Sequence, residues 1–384
     1  MGFIFAVIIM FSFYTGTNIY IAKKAFQWIT LFIPGLSGKI FIAVYVFFAL
    51  SMFLGFSPIP TDIKRIINWI GSHWMGIYLY LLMLIPLADI ILLLGRLLKI
   101  VPKPVPKNIH FYSGLIVILL ITGLVIYGKH NANQISQVSY DIQTGKKSFS
   151  KDTKIVLISD LHLGAVNSEN TLLRIVQGVN NLEPDIVCLA GDIFNDDINI
   201  LHNPSGVMDS FKSIKTKYGV YACLGNHDGG KTFNEMTEFL SKSNIKLLND
   251  EFVIIDNRLA LIGRVDPSPI GGFGGLERKD ISDVLSSIDL NLPIVVMDHN
   301  PSNSNLNQYG DNIDLILSGH THKGQIFPAN LITKAIYTVD YGHYRKDAHS
   351  PHIIVTSGAG TWAMPMRIGT NNEIASITVR PDSD

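Results

Sequence analysis

Four long apolar segments fill the first third of the chain, and they constrain its fold more strongly than any other feature. They are residues 2–22, 40–56, 75–94 and 111–127. A helix needs about 20 apolar residues to cross a bilayer core, with a lower limit of about 17. The whole chain is 47% hydrophobic and only 16% charged, and the apolar excess lies before residue 128. The sequence therefore predicts an integral membrane protein with a four-helix transmembrane region over residues 1–128.

Basic residues in the loops between these segments predict an orientation in the membrane. The first and third loops carry Lys23, Lys24, Lys39, Arg96, Lys99, Lys103 and Lys107, whereas the opposite side carries Lys64, Arg65 and Lys129. Because cytoplasmic loops are enriched in Lys and Arg, this bias favours both termini outside the cytoplasm. Further lysines between residues 146 and 154 weaken the bias. We therefore expect the C-terminal domain to be extracytoplasmic.

Asp89 is the one acidic residue inside a predicted span. Charges within a membrane often have a function. This one lies two turns before Arg96, however, so we expect it to reach the interface or to form an ion pair.

Residues 129–152 are rich in Asn, Gln and Ser, which is typical of a linker. Within them, the short alternation of polar and apolar residues over 138–142 is compatible with an edge strand.

Short apolar runs recur after this linker and predict buried β-strands. They are residues 155–158, 186–190, 220–224, 294–297 and 313–317. Segments of helical periodicity lie between several of them, at residues 171–180, 207–215, 231–241 and 280–288. The alternation predicts an α/β domain over residues 153–384, with its site on loops at the strand ends.

Each of these runs leads into a short segment of metal-ligating residue types. The segments are Asp160-Leu-His162, Gly191-Asp192, Gly225-Asn-His-Asp228, Asp298-His299-Asn-Pro301 and Gly319-His-Thr-His-Lys-Gly-Gln325. A single His or Asp at a strand end is usually only hydrogen-bonded. Five such segments in order supply seven candidate ligands: Asp160, His162, Asp192, Asn226, His299, His320 and His322.

This set of ligands suits two adjacent divalent cations. Asp160 and His162 are two residues apart, as are His320 and His322, so in strand geometry each pair would face one way and hold a metal jointly. Neutral imidazoles with carboxylate and amide oxygens favour Zn, Mn or Fe over Ca. Two such ions would activate a water molecule and support phosphoester hydrolysis.

The five segments closely resemble the motifs of the calcineurin-like metallophosphoesterase family, in particular its membrane-attached bacterial branch. The resemblance covers about residues 153–380 and implies two packed, mixed β-sheets flanked by helices. It implies one metal held by Asp160, His162, Asp192 and His322, and a second held by Asp192, Asn226, His299 and His320.

The resemblance also implies a role in catalysis for His227, which is not a ligand. A metal-bound hydroxide would attack phosphorus, and His227 would donate a proton to the leaving oxygen or stabilise the transition state. We predict that Asp228 orients the His227 ring.

Three residues are candidates for contact with the substrate. Lys323 replaces the second glycine of the usual Gly-His-Thr-His-Gly-Gly-Gln motif, and its ammonium group either binds a substrate anion or points into solvent. Arg367 and Trp362 belong to a segment that resembles the part of the family fold that closes the site.

The composition limits other possibilities. Two cysteines, Cys188 and Cys223, cannot build a disulfide framework and are expected to be buried free thiols, although neighbouring strands would bring them close. The formal net charge is +0, so nothing indicates a surface for nucleic acid, and a nuclease is disfavoured.

We therefore predict a membrane-bound phosphoesterase that hydrolyses a phosphomonoester, a phosphodiester or a pyrophosphate. Lipid-linked or cell-envelope substrates fit because tethering holds the site near the bilayer. The alternative is a transporter or sensor in which the metal domain is regulatory. The predicted spans disfavour it, since they carry one acidic residue and show no paired broken helices.

Overall fold

The computed structural model describes residues 2–146 and 151–381. The chain divides into two compact units, Met1–Tyr127 and Gly128–Asp384. The described residues leave out residues 1, 147–150 and 382–384. The first limit of the predicted transmembrane region, the last limit of the predicted α/β domain and part of the predicted linker therefore lie outside the described residues.

The first unit is built from apolar helices. They are α1 (Gly2–Phe32), α2 (Gly38–Leu54), α3 (Thr61–Leu97) and α4 (Lys107–Ala132), whose last turn belongs to the second unit. By length and composition, three described helices can cross a membrane, over Ile4–Phe32, Thr61–Leu97 and Lys107–Ala132.

This result corrects the predicted count of four spanning helices. The predicted span at 40–56 corresponds to α2, a shorter apolar helix of 17 residues. Pro34 and Gly35 lie in the turn before α2, which begins after its N-cap residue Ser37 and ends at its C-cap residue Gly55. The other predicted spans are parts of longer helices.

Asp89 forms an ion pair within the first unit, as expected, although its partner is not Arg96. Lys24 Nζ lies 2.7 Å from Asp89 Oδ1. The hydroxyl of Tyr20 donates to Asp89 Oδ2 at 2.7 Å. The Asp89 carboxylate on α3 therefore pairs with two residues of α1.

The second unit contains two six-stranded mixed sheets. In spatial order, the first sheet consists of β1 (Ile135–Thr144), β12 (Asn372–Pro381), β2 (Thr153–Ile158), β3 (Ile186–Ala190), β4 (Val220–Cys223) and β5 (Ile245–Leu247). The strands β2 to β5 are parallel, and β12 is antiparallel to β2 and parallel to β1.

The second sheet has the same mixed character. Its spatial order is β10 (Gly342–Tyr344), β11 (His352–Val355), β9 (Leu315–Ser318), β8 (Ile294–Met297), β7 (Leu259–Gly263) and β6 (Glu251–Ile255). The strands β7, β8, β9 and β11 are parallel, whereas the edge strands β6 and β10 are antiparallel to their neighbours.

The alternation of side chains along the strands builds the hydrophobic core in layers. Ile155 and Leu157 of β2 pack between the two sheets with residues such as Val295. Val156 and Ile158 point the other way, toward the helices that cover the first sheet, because successive strand residues face opposite sides. Those helices are α5 (Glu169–Asn181), α6 (Pro204–Lys212) and α7 (Phe233–Lys242).

Shorter helices accompany the second sheet, and α8 and α9 pack apolar residues against its outer face. They are α8 (Ile281–Leu285), α9 (Asn303–Leu306) and α10 (Ala329–Ile336). The predicted α/β fold of two mixed sheets flanked by helices is thus confirmed.

Most of the predicted linker belongs to the second unit. The alternation at 138–142 is part of β1, which lies at the edge of the first sheet as the sequence indicated. Its partner is β12, with Ile135 opposite Asn372, so the sheet joins the two ends of this unit.

Candidate metal centre

All seven predicted ligands lie on loops that follow the carboxyl ends of parallel strands. Asp160 and His162 follow β2, Asp192 follows β3, and Asn226 follows β4. His299 follows β8, while His320 and His322 follow β9. Parallel strands end at one edge of a sheet, and this edge is where open α/β sheets place their sites. The two sheets therefore each contribute ligands to one place.

The side chains form two groups whose ligand atoms lie within 4.8 Å of one another. One group is Asp160, His162 and His322, and the other is Asp192, His299 and His320. In the first group, His322 Nε2 lies 3.3 Å from Asp160 Oδ1 and 3.1 Å from His162 Nε2. In the second, His320 Nδ1 lies 3.3 Å from His299 Nε2 and 2.9 Å from Asn226 Oδ1.

Asp192 joins the two groups. Its Oδ2 lies 3.2 Å from His299 Nε2 and 3.5 Å from His162 Nε2. A carboxylate in this position can bind a cation on either side, as the family resemblance implies for Asp192.

The two histidines of the last motif belong to different groups, which corrects the expectation that they hold one metal jointly. Each predicted pair lies beyond its strand, since β2 ends at Ile158 and β9 ends at Ser318. Asp160, His162, His320 and His322 have φ values of 55°, 43°, 70° and 49°. A positive φ turns the chain sharply, so strand alternation does not set the direction of these side chains.

This backbone geometry is itself characteristic of a functional site. Five of the seven ligands adopt positive φ, since Asp192 has a φ of 52° in addition to the four above. A non-glycine residue in this region costs about 1–3 kcal/mol, and such residues cluster at sites where the strain serves a function.

Glycines in the motifs allow the ligand loops to approach each other closely. A Cβ atom on Gly225 would overlap the backbone nitrogen and the carboxylate of Asp192. A Cβ atom on Gly319 would overlap Ser159 and the carboxylate of Asp160. The glycines that begin these two ligand segments are therefore required by contact between neighbouring loops.

Hydrogen bonds orient the ligands around the centre. His299 Nδ1 lies 2.8 Å from the carbonyl oxygen of Ala190, so its Nε2 faces the site. The backbone N–H of His320 donates to Asp160, and that of His227 donates to Asp192 Oδ1 at 2.8 Å. Ser159 Oγ also donates to Asp160. Such contacts hold metal ligands in productive geometry.

Burial keeps three of the imidazoles in the form that binds metals. It lowers the pKa of His162 to about 3 and that of His320 to about 4, and it lowers the pKa of His322 well below its usual range. Burial opposes ionisation of Asp192, but His299 and His162 outweigh it and hold the Asp192 pKa well below its usual range. The neutral imidazoles of His162, His320 and His322 thus lie around an ionised carboxylate. Burial lowers the pKa of His299, but Asp192 outweighs it and the pKa of His299 is raised well above its usual range.

The donor set fits two divalent cations. His162 Nε2 and His322 Nε2 lie 3.1 Å apart beside the Asp160 carboxylate, and both rings have depressed pKa values. Imidazole nitrogens and carboxylate oxygens that converge at such distances are a ligand set that borderline divalent cations favour. Asp160, His162, Asp192 and His322 would hold one ion, and Asp192, Asn226, His299 and His320 the other.

His227 lies beside the centre but pairs with a different carboxylate from the one predicted. Its Nδ1 lies 2.8 Å from Asp196 Oδ1, and its ring centroid lies 5.1 Å from that of His162. Burial lowers the pKa of His227, but the hydrogen bond and charge of Asp196 outweigh it, so the pKa is raised overall. His227 is thus suited to carry a proton on both ring nitrogens, with Nδ1 bonded to Asp196 and Nε2 able to donate.

Asp228 does not orient the His227 ring, which corrects the predicted contact. Its two oxygens accept from the backbone N–H groups of Phe194 and Gly225, each at 2.9 Å. Asp228 is buried and ties the loop after β4 to the loop after β3. Asp196 was missed by sequence reasoning, and the only signal for it was a second aspartate four residues after Asp192.

Lys323 packs its ammonium group on an aromatic ring. Lys323 Nζ lies 3.7 Å from the centroid of Tyr341, and the Tyr341 hydroxyl donates to Glu373 Oε2. This cation–π contact fixes the side chain of Lys323. Its role in substrate binding stays a prediction.

Arg367 is fully buried, so its guanidinium has no surface to offer a substrate, and the predicted contact is corrected. It donates to the carbonyl oxygens of His322, Ser357 and Gly360 at 2.9, 2.7 and 2.6 Å. A further bond joins Arg367 Nε to Asn372 Oδ1 at 2.6 Å. Arg367 therefore holds the segment around residues 357–372 against the turn that carries His322.

Trp362 lies at the opening of the site. Its side chain is 45% exposed, and its ring centroid lies 5.8 Å from that of His227. Gln325 of the last motif fixes the Trp362 backbone, accepting from its N–H at 2.7 Å and donating to its carbonyl at 2.8 Å. Trp362 is thus placed where a wall of the substrate site would be.

The two cysteines are free, buried thiols, as expected. They lie on the adjacent strands β3 and β4, where Cys223 pairs in register with Ala190 rather than with Cys188.

Comparison with known proteins agrees with this geometry. Residues 153–324 match the family described as calcineurin-like phosphoesterase. The chain is 29% identical to an uncharacterised metallophosphoesterase of Campylobacter jejuni, with 98% of each chain covered. It is 30% identical to an uncharacterised metallophosphoesterase of Aquifex aeolicus over 63% of this chain and 90% of that one. It is 28% identical to a transmembrane protein with a metallophosphoesterase domain of Danio rerio, over 80% and 74%.

The fold and site define a two-sheet α/β protein with a candidate dinuclear metal centre, joined to apolar helices of membrane-spanning length. The chain belongs to the calcineurin-like metallophosphoesterase family.

Proposed function

We propose that this protein is a membrane-anchored phosphoesterase that depends on two divalent cations. The observation that carries the proposal is the convergence of the seven ligand side chains, in which Asp192 joins the two groups and His227 lies beside them. Mn, Zn and Fe are the cations that this mixture of imidazole, carboxylate and amide ligands favours.

The residues of the site have separate parts in the proposed reaction. When bound, the cations would activate water and neutralise charge on the phosphoryl oxygens. Asp192 and the imidazoles would hold the cations close together. His227, kept protonated by Asp196, would donate its proton to the leaving oxygen. Trp362 would pack against the group attached to the phosphate.

The substrate that we propose is a phosphomonoester, phosphodiester or pyrophosphate carried by a lipid or another cell-envelope molecule. Support comes from the three helices of spanning length, since a site on the same chain stays near the bilayer and meets such substrates often. The loop charges support an extracytoplasmic position for the site.

The activity is tested with the purified full-length protein in detergent. After removal of metals and addition of Mn²⁺ or Zn²⁺, we expect hydrolysis of p-nitrophenyl phosphate or its bis ester. Asp192→Asn should abolish turnover because both metals lose a shared ligand, while Asp283→Asn, an exposed aspartate of α8, should leave it unchanged. Absence of turnover with every divalent metal would favour the regulatory alternative.

The orientation is tested in intact cells with a membrane-impermeant maleimide. Leu290→Cys introduces a thiol at an exposed position of the second unit, whereas both native cysteines are buried. Labelling of intact cells is the expected result. Labelling only after lysis would place the catalytic unit in the cytoplasm.

A further inference from the structure

The helix α10 presents its apolar side to solvent. We define the α10 ridge as Leu331, Ile332 and Ile336, whose side chains are 57%, 59% and 63% exposed. None of the eight residues of α10 is buried. Surface helices of globular domains place their apolar side toward the core, so α10 has the reverse arrangement.

Polar contacts hold α10 in place from its inner side. Thr333 Oγ1 donates to Asp340 Oδ2 at 2.9 Å, and Thr321 Oγ1 donates to the Asp340 carbonyl at 2.6 Å. At its N-terminus the helix packs directly on Gly324, where a Cβ atom would overlap the backbone of Asn330. The exposed ridge therefore belongs to a helix that these contacts hold in place.

The ridge lies next to the metal centre at both of its ends. Before α10, Phe327 follows the motif that contains His320 and His322 by only a few residues. After α10, the ring of Tyr337 lies 6.3 Å from that of His320. A surface that covered the ridge would thus also meet the neighbourhood of the ligands.

Residues 367–370, which are hydrogen-bonded to Phe327, are also hydrogen-bonded to the C-terminal end of α4. The N–H of Phe327 donates to the carbonyl of Ile368 at 2.8 Å, and the N–H of Arg367 donates to that of Gly128 at 3.0 Å. Asn131 donates to the carbonyls of Arg367 and Thr370. Gly128 is the residue after the last predicted span, in the helix α4 that is long enough to cross a bilayer.

The charges of α10 match a lipid surface. The helix contains no acidic residue, and its one charged residue, Lys334, is exposed. Apolar residues on one side with a lysine at the border are typical of helices that lie in the plane of a membrane interface. A lysine there also favours anionic lipids.

We propose that the α10 ridge inserts into the bilayer that the apolar helices of the same chain cross. The occupant of the ridge is the acyl region of lipids, and the ridge brings the metal centre to lipid headgroups. That second step rests on the proposed function, whereas insertion of the ridge does not.

The test measures the surroundings of the ridge in the full-length protein. Ile332→Cys is labelled with an NBD fluorophore and reconstituted into vesicles of phosphatidylcholine and phosphatidylglycerol. The native thiols are buried, and burial raises their pKa values, so they stay unlabelled. Leu290→Cys is the matched control, because Leu290 is also apolar and exposed but precedes β8, at the opposite end of that strand from His299.

Two quenchers distinguish the possible surroundings. We expect a doxyl group on the lipid acyl chain to quench the label at position 332 but not at 290, and aqueous iodide to do the reverse. Quenching of position 332 by iodide, as at 290, would overturn the proposal because the ridge would be in water. Protection from both quenchers would also overturn it, since a second copy or another protein would then cover the ridge.

Turnover of p-nitrophenyl phosphate by the same samples separates this inference from the proposed function. Lipid quenching without turnover would support the ridge and contradict the phosphoesterase. Turnover without lipid quenching would do the opposite.

Discussion

The Asp192 side chain contacts both ligand groups and the backbone of His227. One of its oxygens lies between His162 and His299, and the other accepts from the N–H of His227. The same carboxylate therefore joins the two ligand groups and positions the backbone that carries the proton donor. Because these contacts come from loops after three different strands and from both sheets, a change at Asp192 reaches every part of the centre.

The pair of His227 and Asp196 gives a prediction about pH. Asp196 raises the pKa of His227 against burial, which lowers it, and Asp192 acts in the same direction as Asp196 while His299 opposes them. A raised pKa means that the protonated ring persists to higher pH. In Asp196→Asn the His227 pKa should fall, so the alkaline limb of the kcat profile should move to lower pH. Activity near pH 8 should drop by about 10–100-fold.

Asp228→Asn is the contrasting variant for that measurement. Asp228 accepts two backbone N–H bonds and does not contact the His227 ring, so its replacement should lower the thermal midpoint without moving the alkaline limb. A limb that moved in Asp228→Asn and stayed in Asp196→Asn would support the contact first inferred from the sequence.

The difference between Asp196 and Asp228 shows the limit of sequence reasoning at the residue scale. Ligand identity was readable because each ligand follows an apolar run and sits in a recognisable motif. Which carboxylate meets His227 depends on how the loop after β3 folds back toward the loop after β4, and it does so through Asp228 itself. The periodicity of the sequence does not predict how these two loops fold against each other.

At the scale of elements, the strands that carry the ligands could be predicted and their partners could not. The runs at 155–158, 186–190 and 294–297 are short and almost wholly apolar, and they became β2, β3 and β8. The pairing of β1 with β12 joins residues more than 200 positions apart in sequence. Neither strand alone indicates this partner, because an edge strand is chosen by tertiary packing.

Arg367 connects three elements, and its removal should therefore affect stability and metal binding together. It donates to carbonyls of the turn at His322 and of the segment near Ser357, and to the side chain of Asn372 at the start of β12. In Arg367→Met these buried acceptors lose their donor, which we expect to destabilise the second unit by about 3 kcal/mol. The release of the His322 turn should also weaken Mn²⁺ binding.

The control for this variant is Arg380→Met. Arg380 pairs with Asp141 at the edge of the first sheet, but its side chain is 48% exposed, and surface pairs contribute about 0–1 kcal/mol. Thermal unfolding and Mn²⁺ titration of both variants would check the prediction. Equal effects of the two substitutions would contradict the role given to Arg367.

At the scale of the whole molecule, the two units differ in what stabilises them. The first consists of apolar helices suited to lipid, and the second has a layered core with both metal-ligand groups found among the described residues. A ligand that binds only the folded state stabilises the unit that contains its site. The response to metal should therefore separate the units experimentally.

We predict that Mn²⁺ or Zn²⁺, added to the metal-stripped full-length protein, raises the unfolding midpoint of the second unit alone. At a free metal concentration of 100 times Kd, the expected stabilisation is about 2.7 kcal/mol. Calorimetry in detergent is the appropriate measurement, because it follows the unfolding of both units. Asp192→Asn should remove most of the shift, because both ligand groups lose the carboxylate between them, while Asp283→Asn should keep it. A shift of equal size in Asp192→Asn would mean that the cations bind elsewhere, and it would contradict the dinuclear centre on which the proposed chemistry depends.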